Sequence, residues 1–143
     1  MAWISRSVLC LLGLSPPLTA QVSPPPSLMV GQEWRFRARP GDPSPSLVIV
    51  RIESHPKLGE IVHISVRGVH LRNSGVPSGF SSEISHMPFA RSALEASLVA
   101  LLKPRVSLPS FDEGYDQWLM AKGGVFTVSV AEAIDLMETA LNQ

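Results

Sequence analysis

Between residues 33 and 72, separate stretches alternate apolar and polar residues with a period of two, the pattern of half-buried β-strands in a meander. Trp34, Phe36 and Ala38 interleave with Arg35, Arg37 and Arg39. Pro40-Gly41-Asp42-Pro43 supplies turn chemistry and ends that strand. Val48, Val50 and Ile52 are expected on one face of a second strand, with Leu47, Ile49, Arg51 and Glu53 on the other. After a loop at His55 to Gly59, Val62, Ile64 and Val66 repeat the inward pattern, while His63, Ser65 and Arg67 point away. Gly68 is expected to mark a bulge or strand end, and Val69 and Leu71 a short fourth strand. Asn73 to Gly79 reads as a loop.

Beyond Gly79 the period lengthens. Leu94, Leu98, Leu101 and Leu102 share one helical face, and Pro104 stops that helix. Ser110 with Glu113 has capping-box spacing ahead of a stripe of Tyr115, Trp118 and Leu119, which Gly123-Gly124 ends. Val125-Phe126-Thr127 is expected to be extended. Ser129 with Glu132 repeats the capping box before a helix whose inner face is Val130, Ile134, Met137 and Leu141. Strands followed by single-striped helices predict an α+β fold: an antiparallel β-meander of about four to five strands, with three helices packed on one face.

The N-terminus carries an export pattern. Arg6 precedes the apolar run Val8 to Leu14, and Leu18-Thr19-Ala20 offers a cleavage point, so residues 1–20 are expected to be a signal peptide. The run is far short of the roughly 20 apolar residues that span a bilayer, and no integral membrane segment is expected. Residues 21–30, with Pro24-Pro25-Pro26, read as a proline-rich linker, and residues 31–143 as one globular domain. This predicts a periplasmic or secreted protein; initiation at Met29 would give a cytoplasmic one. Cys10 is the only cysteine and falls in the signal, so the domain has no disulfide, thiolate nucleophile or cysteine-based zinc site. A lipidated Cys10 is disfavoured, because the preceding Leu9 is large.

Five blocks resemble a family of small, uncharacterised bacterial proteins. They are GQEWRFRARPGD (Gly31 to Asp42), HPKLGEIVHISVRGV (His55 to Val69), HMPFARSAL (His86 to Leu94), LPSFDEGYDQW (Leu108 to Trp118) and GGVFTVSVAEAI (Gly123 to Ile134). The resemblance covers nearly everything from Gly31 onward. That family has no assigned reaction, cofactor or catalytic residue, so the resemblance transfers no site. Its members often carry an acidic residue where Pro43 stands here.

The formal net charge is zero but unevenly spread: basic residues prevail from Gly31 to Arg72, acidic ones from Phe111 to Gln143. Arg35, Arg37, Arg39, Arg51, His63 and Arg67 are expected to share the open sheet face. Guanidinium groups there suit an unknown protein partner or a small anionic ligand, held bidentately. The ordinary alternative is a wet polar face with Glu53 as partner. Nucleic acid is not expected, since the balance is neutral and no aromatic run accompanies the arginines. No cofactor is expected, and metal readings fail on spacing. Glu83 and His86 give one E-x-x-H with no second copy, and His63 and His70 differ by an odd number of residues, on opposite faces of a regular strand. No glycine elbow surrounds Ser81, Ser82 or Ser85, so a hydrolase built on His86, Glu83 and a nearby serine is the second choice. Tyr115, Trp118 and Trp34 are either a ligand shelf or core. The first choice is a non-enzymatic binding protein.

Overall fold

The computed structural model describes residues 17–19 and 26–143. The expected signal peptide, apart from residues 17–19, and the first half of the linker lie outside the described residues. Five strands form one antiparallel sheet: β1 (Glu33–Phe36), β2 (Ser46–His55), β3 (Gly59–Arg72), β4 (Phe80–Ala90) and β5 (Leu98–Lys103). The spatial order is β4-β3-β2-β1-β5, a four-strand meander with β5 returning to the far side of β1. Three helices complete it: α1 (Arg91–Ser97), α2 (Asp112–Met120) and α3 (Val130–Leu141). The α+β class and the meander are as the alternation predicts.

Three irregularities decide which residues face where. Ile49 pairs with Ile64 and Arg51 with His63, so Val50 is an extra residue in β2. Leu47 and Ile49 therefore lie in the core cluster ahead of the bulge, and Ile52 packs against it afterwards. This corrects the expected inward set of Val48, Val50 and Ile52. Leu47 to Val50 is apolar at every position, so its sequence has no parity to read. Val48 and Val50 are still buried, outside the main cluster.

The second irregularity is at Gly68, where a bulge was expected. Its φ is 75°, and a Cβ there would meet Ser44 O at 1.9 Å. No other residue fits such a position. The strand does not restart after it, since β3 runs unbroken to Arg72. In the third, Val66 pairs with Ile84 but Ile64 with Met87, so Ser65 faces both Ser85 and His86.

β4 was not expected. Its Ser-Ser-Glu-Ile-Ser-His-Met-Pro run lacks alternation, yet Ile84, Met87 and Phe89 are all buried. Pro88 is tolerated because β4 is an edge strand, where its missing N–H breaks no ladder bond. The outer side of β4 is clipped by a single parallel bridge, with Phe126 N donating to Pro88 O at 2.9 Å and Ala90 N to Phe126 O at 3.0 Å. The expected helix through Leu102 is also corrected. α1 ends at Ser97, and Leu98 to Lys103 pair instead with β1. A Leu-Val-Ala-Leu-Leu run suits either state, and the unfilled ladder of β1 selects the strand.

The core lies on one face of the sheet. Phe36, Leu47, Ile49, Val62, Ile64 and Phe89 meet Leu94 of α1 and Val130, Ala133 and Ile134 of α3. Apart from Ala133, each such side chain contributes about 1.5–3 kcal/mol by leaving water. The expected capping box of α3 is present, with Glu132 N donating to Ser129 Oγ and Ser129 N to Glu132 Oε2, both at 3.2 Å. The one expected at Ser110 and Glu113 is not, because α2 starts a residue later with Phe111 at its cap. Single-sided packing holds for α1 and α3. The side chains of α2 meet His63, which alternation within β3 puts on the opposite pleat from Val62 and Ile64.

The packed body begins before Gly31. Leu28 belongs to the core cluster, and Gln32 fastens its neighbourhood. Gln32 Nε2 donates to Ser27 O, while its Oε1 accepts from Met29 N and Trp34 Nε1, each at 3.0 Å.

Candidate functional site

The six residues expected to form an anion-binding face are not gathered into one. Arg39 lies beyond the end of β1, bonded to Asp42 at 3.0 Å and to Asp135 of α3 at 3.1 Å. The hydrogen bonds it donates to Asp42 foremost, and then to Asp135, raise its pKa against the lowering effect of burial. Arg39 is a latch between turn and helix. Arg67 is paired with Glu33 at 2.8 Å, and Arg51 with Glu53 at 2.8 Å. Arg35 and Arg37 are exposed, and no carboxylate is paired with either among the described residues. His63 has no accessible surface at all. The arginine face is thus divided: Arg51 finds its carboxylate two residues along the same strand, Arg67 finds one across the sheet on β1, and Arg39 finds its partners in the turn and in α3.

His63 instead anchors a buried polar cluster. Its Nε2 lies 3.1 Å from Glu53 Oε1, and its Nδ1 lies 2.8 Å from His86 Nε2. Glu53 Oε2 also accepts from Arg51 Nε and from Tyr115 OH, both at 2.8 Å. Cross-strand pairing of Arg51 with His63 places the β2 and β3 members side by side. The β4 bulge at Ser85–His86 turns His86 toward them.

α2 closes the cluster. Tyr115 and Trp118 set their ring edges against His63 at centroid separations of 5.1 and 4.9 Å. The Arg51 guanidinium lies 4.7 Å from the Tyr115 ring centre, an added cation–π contact. The helix approaches this closely because Gly114 faces β4. A Cβ at Gly114 would sit 2.7 Å from His86 Cβ. An interior glycine costs a helix about 1 kcal/mol, so its place here is accounted for by the contact it permits.

Charge assigns the protons. Burial pushes the Glu53 carboxyl up, but hydrogen bonds from Arg51, Tyr115 and His63 outweigh it and hold it below its ordinary value. Burial pushes His63 down, against the opposing pull of Glu53. Burial, then the charge of His63, lowers His86 to about 4. Near pH 7, therefore, Glu53 is ionised and both imidazoles are neutral. An ionised carboxylate only accepts, so His63 Nε2 carries the hydrogen and its Nδ1 is an acceptor. His86 Nε2–H must then donate to it. The chain ends at His86 Nδ1, a lone pair with no protein donor among the described residues.

His86 lines a cavity of about 420 Å³ whose other walls include Pro88, Trp118, Phe126 and Met137. On the far side of Trp118 a second cavity of about 670 Å³ is lined by His55, Lys57, Leu58, Leu119 and Lys122, among others. Trp118 Nε1 donates to Gly124 O at 2.9 Å, which fixes the indole as the wall between them. Among the described residues no group of three His, Cys, Asp or Glu side chains could hold a metal ion, and no helix is long and apolar enough to cross a membrane.

The expected alternative of His86, Glu83 and a serine is not assembled. His86 Nε2 is committed to His63, Glu83 is exposed opposite Arg67, and no serine hydroxyl is bonded to His86 among the described residues. Of the expected aromatic trio, Trp34 is core, whereas Tyr115 and Trp118 line the site. No family model matches the chain, and neither the curated proteins nor the solved structures give a match.

Proposed function

We propose that the protein binds a small organic ligand in the two-lobed groove divided by Trp118, with His86 Nδ1 accepting a hydrogen bond from it. The observation that carries this reading is the 2.8 Å contact between His63 and His86. Anchored at Glu53, that contact gives His86 a single tautomer and presents its acceptor beside an apolar cavity. Most binding sites are of this kind: mainly apolar, with few polar groups, each in a fixed orientation. The export pattern at the N-terminus supports a binder that works in the periplasm or outside the cell.

The chain also supports a second reading, in which His86 Nδ1 takes a proton from water or a hydroxyl. Its low basicity puts this behind binding. A general base works best with a pKa near the operating pH, and His86 at about 4 is a weak one.

The test is an NMR screen of a fragment mixture against the full domain. Long-range ¹⁵N correlations should show His86 as the Nε2–H tautomer, and bound fragments should shift the His86 and Trp118 signals together. Fragments that bind elsewhere and leave both signals unmoved would remove the site. Ester hydrolysis that is lost in His86→Gln would put the catalytic reading first.

A further inference from the structure

We infer that the ligand is a small organic anion with an apolar body, its charged end in the lobe of Lys57 and Lys122 and its body against Trp118. The inference deepens the ligand-binding reading and rests on it. It starts from what the side chains of the larger lobe have left to offer. Glu53 lines this lobe, but its oxygens already accept from Arg51, Tyr115 and His63. The Tyr115 hydroxyl hydrogen is given to Glu53. His55 Nδ1 accepts from the backbone N–H groups of Lys57 and Leu58, both at 3.1 Å, so its remaining nitrogen, Nε2, bears the hydrogen.

The unspent polar groups are therefore almost all donors: two ammonium groups and one imidazole N–H, with Ser54 alone able to do both. The one carboxylate in the wall is neutralised by Arg51 at 2.8 Å. Such a lobe rejects a cation and has little to offer a neutral donor. It suits a carboxylate or a phosphate, which needs donors and positive charge together.

The rest of the lobe requires something else. Leu58 and Leu119 are 37 % and 50 % exposed and stand on its rim beside Pro56 and Trp118. Those side chains give an inorganic anion nothing, whereas an alkyl or aryl group covers them. The ligand's body then reaches past Trp118 toward the lobe of Phe126 and Met137, where a hydroxyl or amide N–H would meet His86.

Isothermal titration and NMR with octanoate, octyl phosphate, 1-octanol and octylammonium test the class. One or both anions should bind about tenfold more tightly than the alcohol and the amine, with an advantage that falls as salt rises. Whichever anion binds better identifies the headgroup. Lys57 and Lys122 are both exposed, so Lys57→Gln with Lys122→Gln leaves packing intact. That double variant should lose the anion preference and keep the weak octanol binding. Equal binding of octanol and both anions at Trp118 would leave the site standing and overturn the class. Failure of all four probes to move either the Trp118 or the His86 signal would overturn both.

Discussion

The two pleats of the sheet are made from alternate residues of the same strands, yet they are held by different physics. On the core face Leu47, Ile49, Ile64 and Phe89 are sealed by α1 and α3 through area removed from water. That attraction has no direction, so it tolerates a change of shape at modest cost. On the other pleat α2 covers His63, and Glu53, His86 and Tyr115 are tied to it and to one another through a chain of aimed hydrogen bonds. Such a chain depends on every member, because a buried polar atom without its partner costs more than the bond contributes. One face holds the molecule together, and the other holds a proton arrangement in place.

That contrast is open to measurement. The largest effect should come from Phe89→Ala on the core face, at about 3–5 kcal/mol in urea unfolding. A loss under about 1 kcal/mol would mean that this face is not the main source of stability. Glu53→Gln on the other pleat hardly changes shape, yet should cost about 2 kcal/mol by removing the charge that three donors address. It should also scramble the His86 tautomer in ¹⁵N spectra. If Glu53→Gln behaves like a volume-conserving core swap, with the tautomer retained, the distinction between the pleats is lost.

Acidification should produce the smallest effect. The folded-state pKa of His86, about 4, is below its ordinary value of 6.5, so the unfolded chain binds more protons between those limits. Stability from this group is complete above pH 6.5 and is lost as pH falls toward 4. A shift of that size corresponds to about 3 kcal/mol for a fully buried group. His86 is only partly buried, and solvent screening reduces the expected loss to about 1–2 kcal/mol, or roughly 5 °C in melting temperature. His63, also pushed down by burial, acts in the same direction. Glu33, Asp42 and Glu53, whose carboxyls are held low, add their own losses only below about pH 4.5. Melting curves of His86→Gln should be flatter from pH 6.5 to 4.5. A slope equal to that of the parent would assign the acid sensitivity elsewhere.

The core face was the legible one. Val62, Ile64 and Val66 were placed inward from period two alone, and the Ser129–Glu132 cap from spacing. Reading failed where two structures suit the same letters. Leu98 to Lys103 matches a helix as well as a strand until β1 offers its ladder, a contact spanning roughly half the chain. Phe80 to Ala90 escapes such a count because, Phe80 apart, the residues outside the core are Ser, Glu, His, Pro and Ala, leaving only Ile84, Met87 and Phe89 as apolar letters with a common face.

The site lay further out of reach. Period two puts His63 on the polar pleat and leaves Glu53 as a partner for the arginines of a wet face, but burial of His63 beneath α2 depends on a helix placed by tertiary contact. The meeting of His63 with His86 needs the β4 bulge, which leaves no mark in composition. One sign was present in the letters: Gly114, inside an amphipathic stretch between Glu113 and Tyr115, announces that something comes close to that turn.

Leu28 acts as a plug, joined to the same core cluster as Trp34 from a position ahead of the first strand. Trimming at Ala20 would spare it, whereas translation from Met29 would omit it and uncover the side of the core that it covers. An empty leucine seat of that kind costs about 2–5 kcal/mol, a large part of what a domain this size has in reserve. A chain that lacked Leu28 would therefore be less robust than one that keeps it.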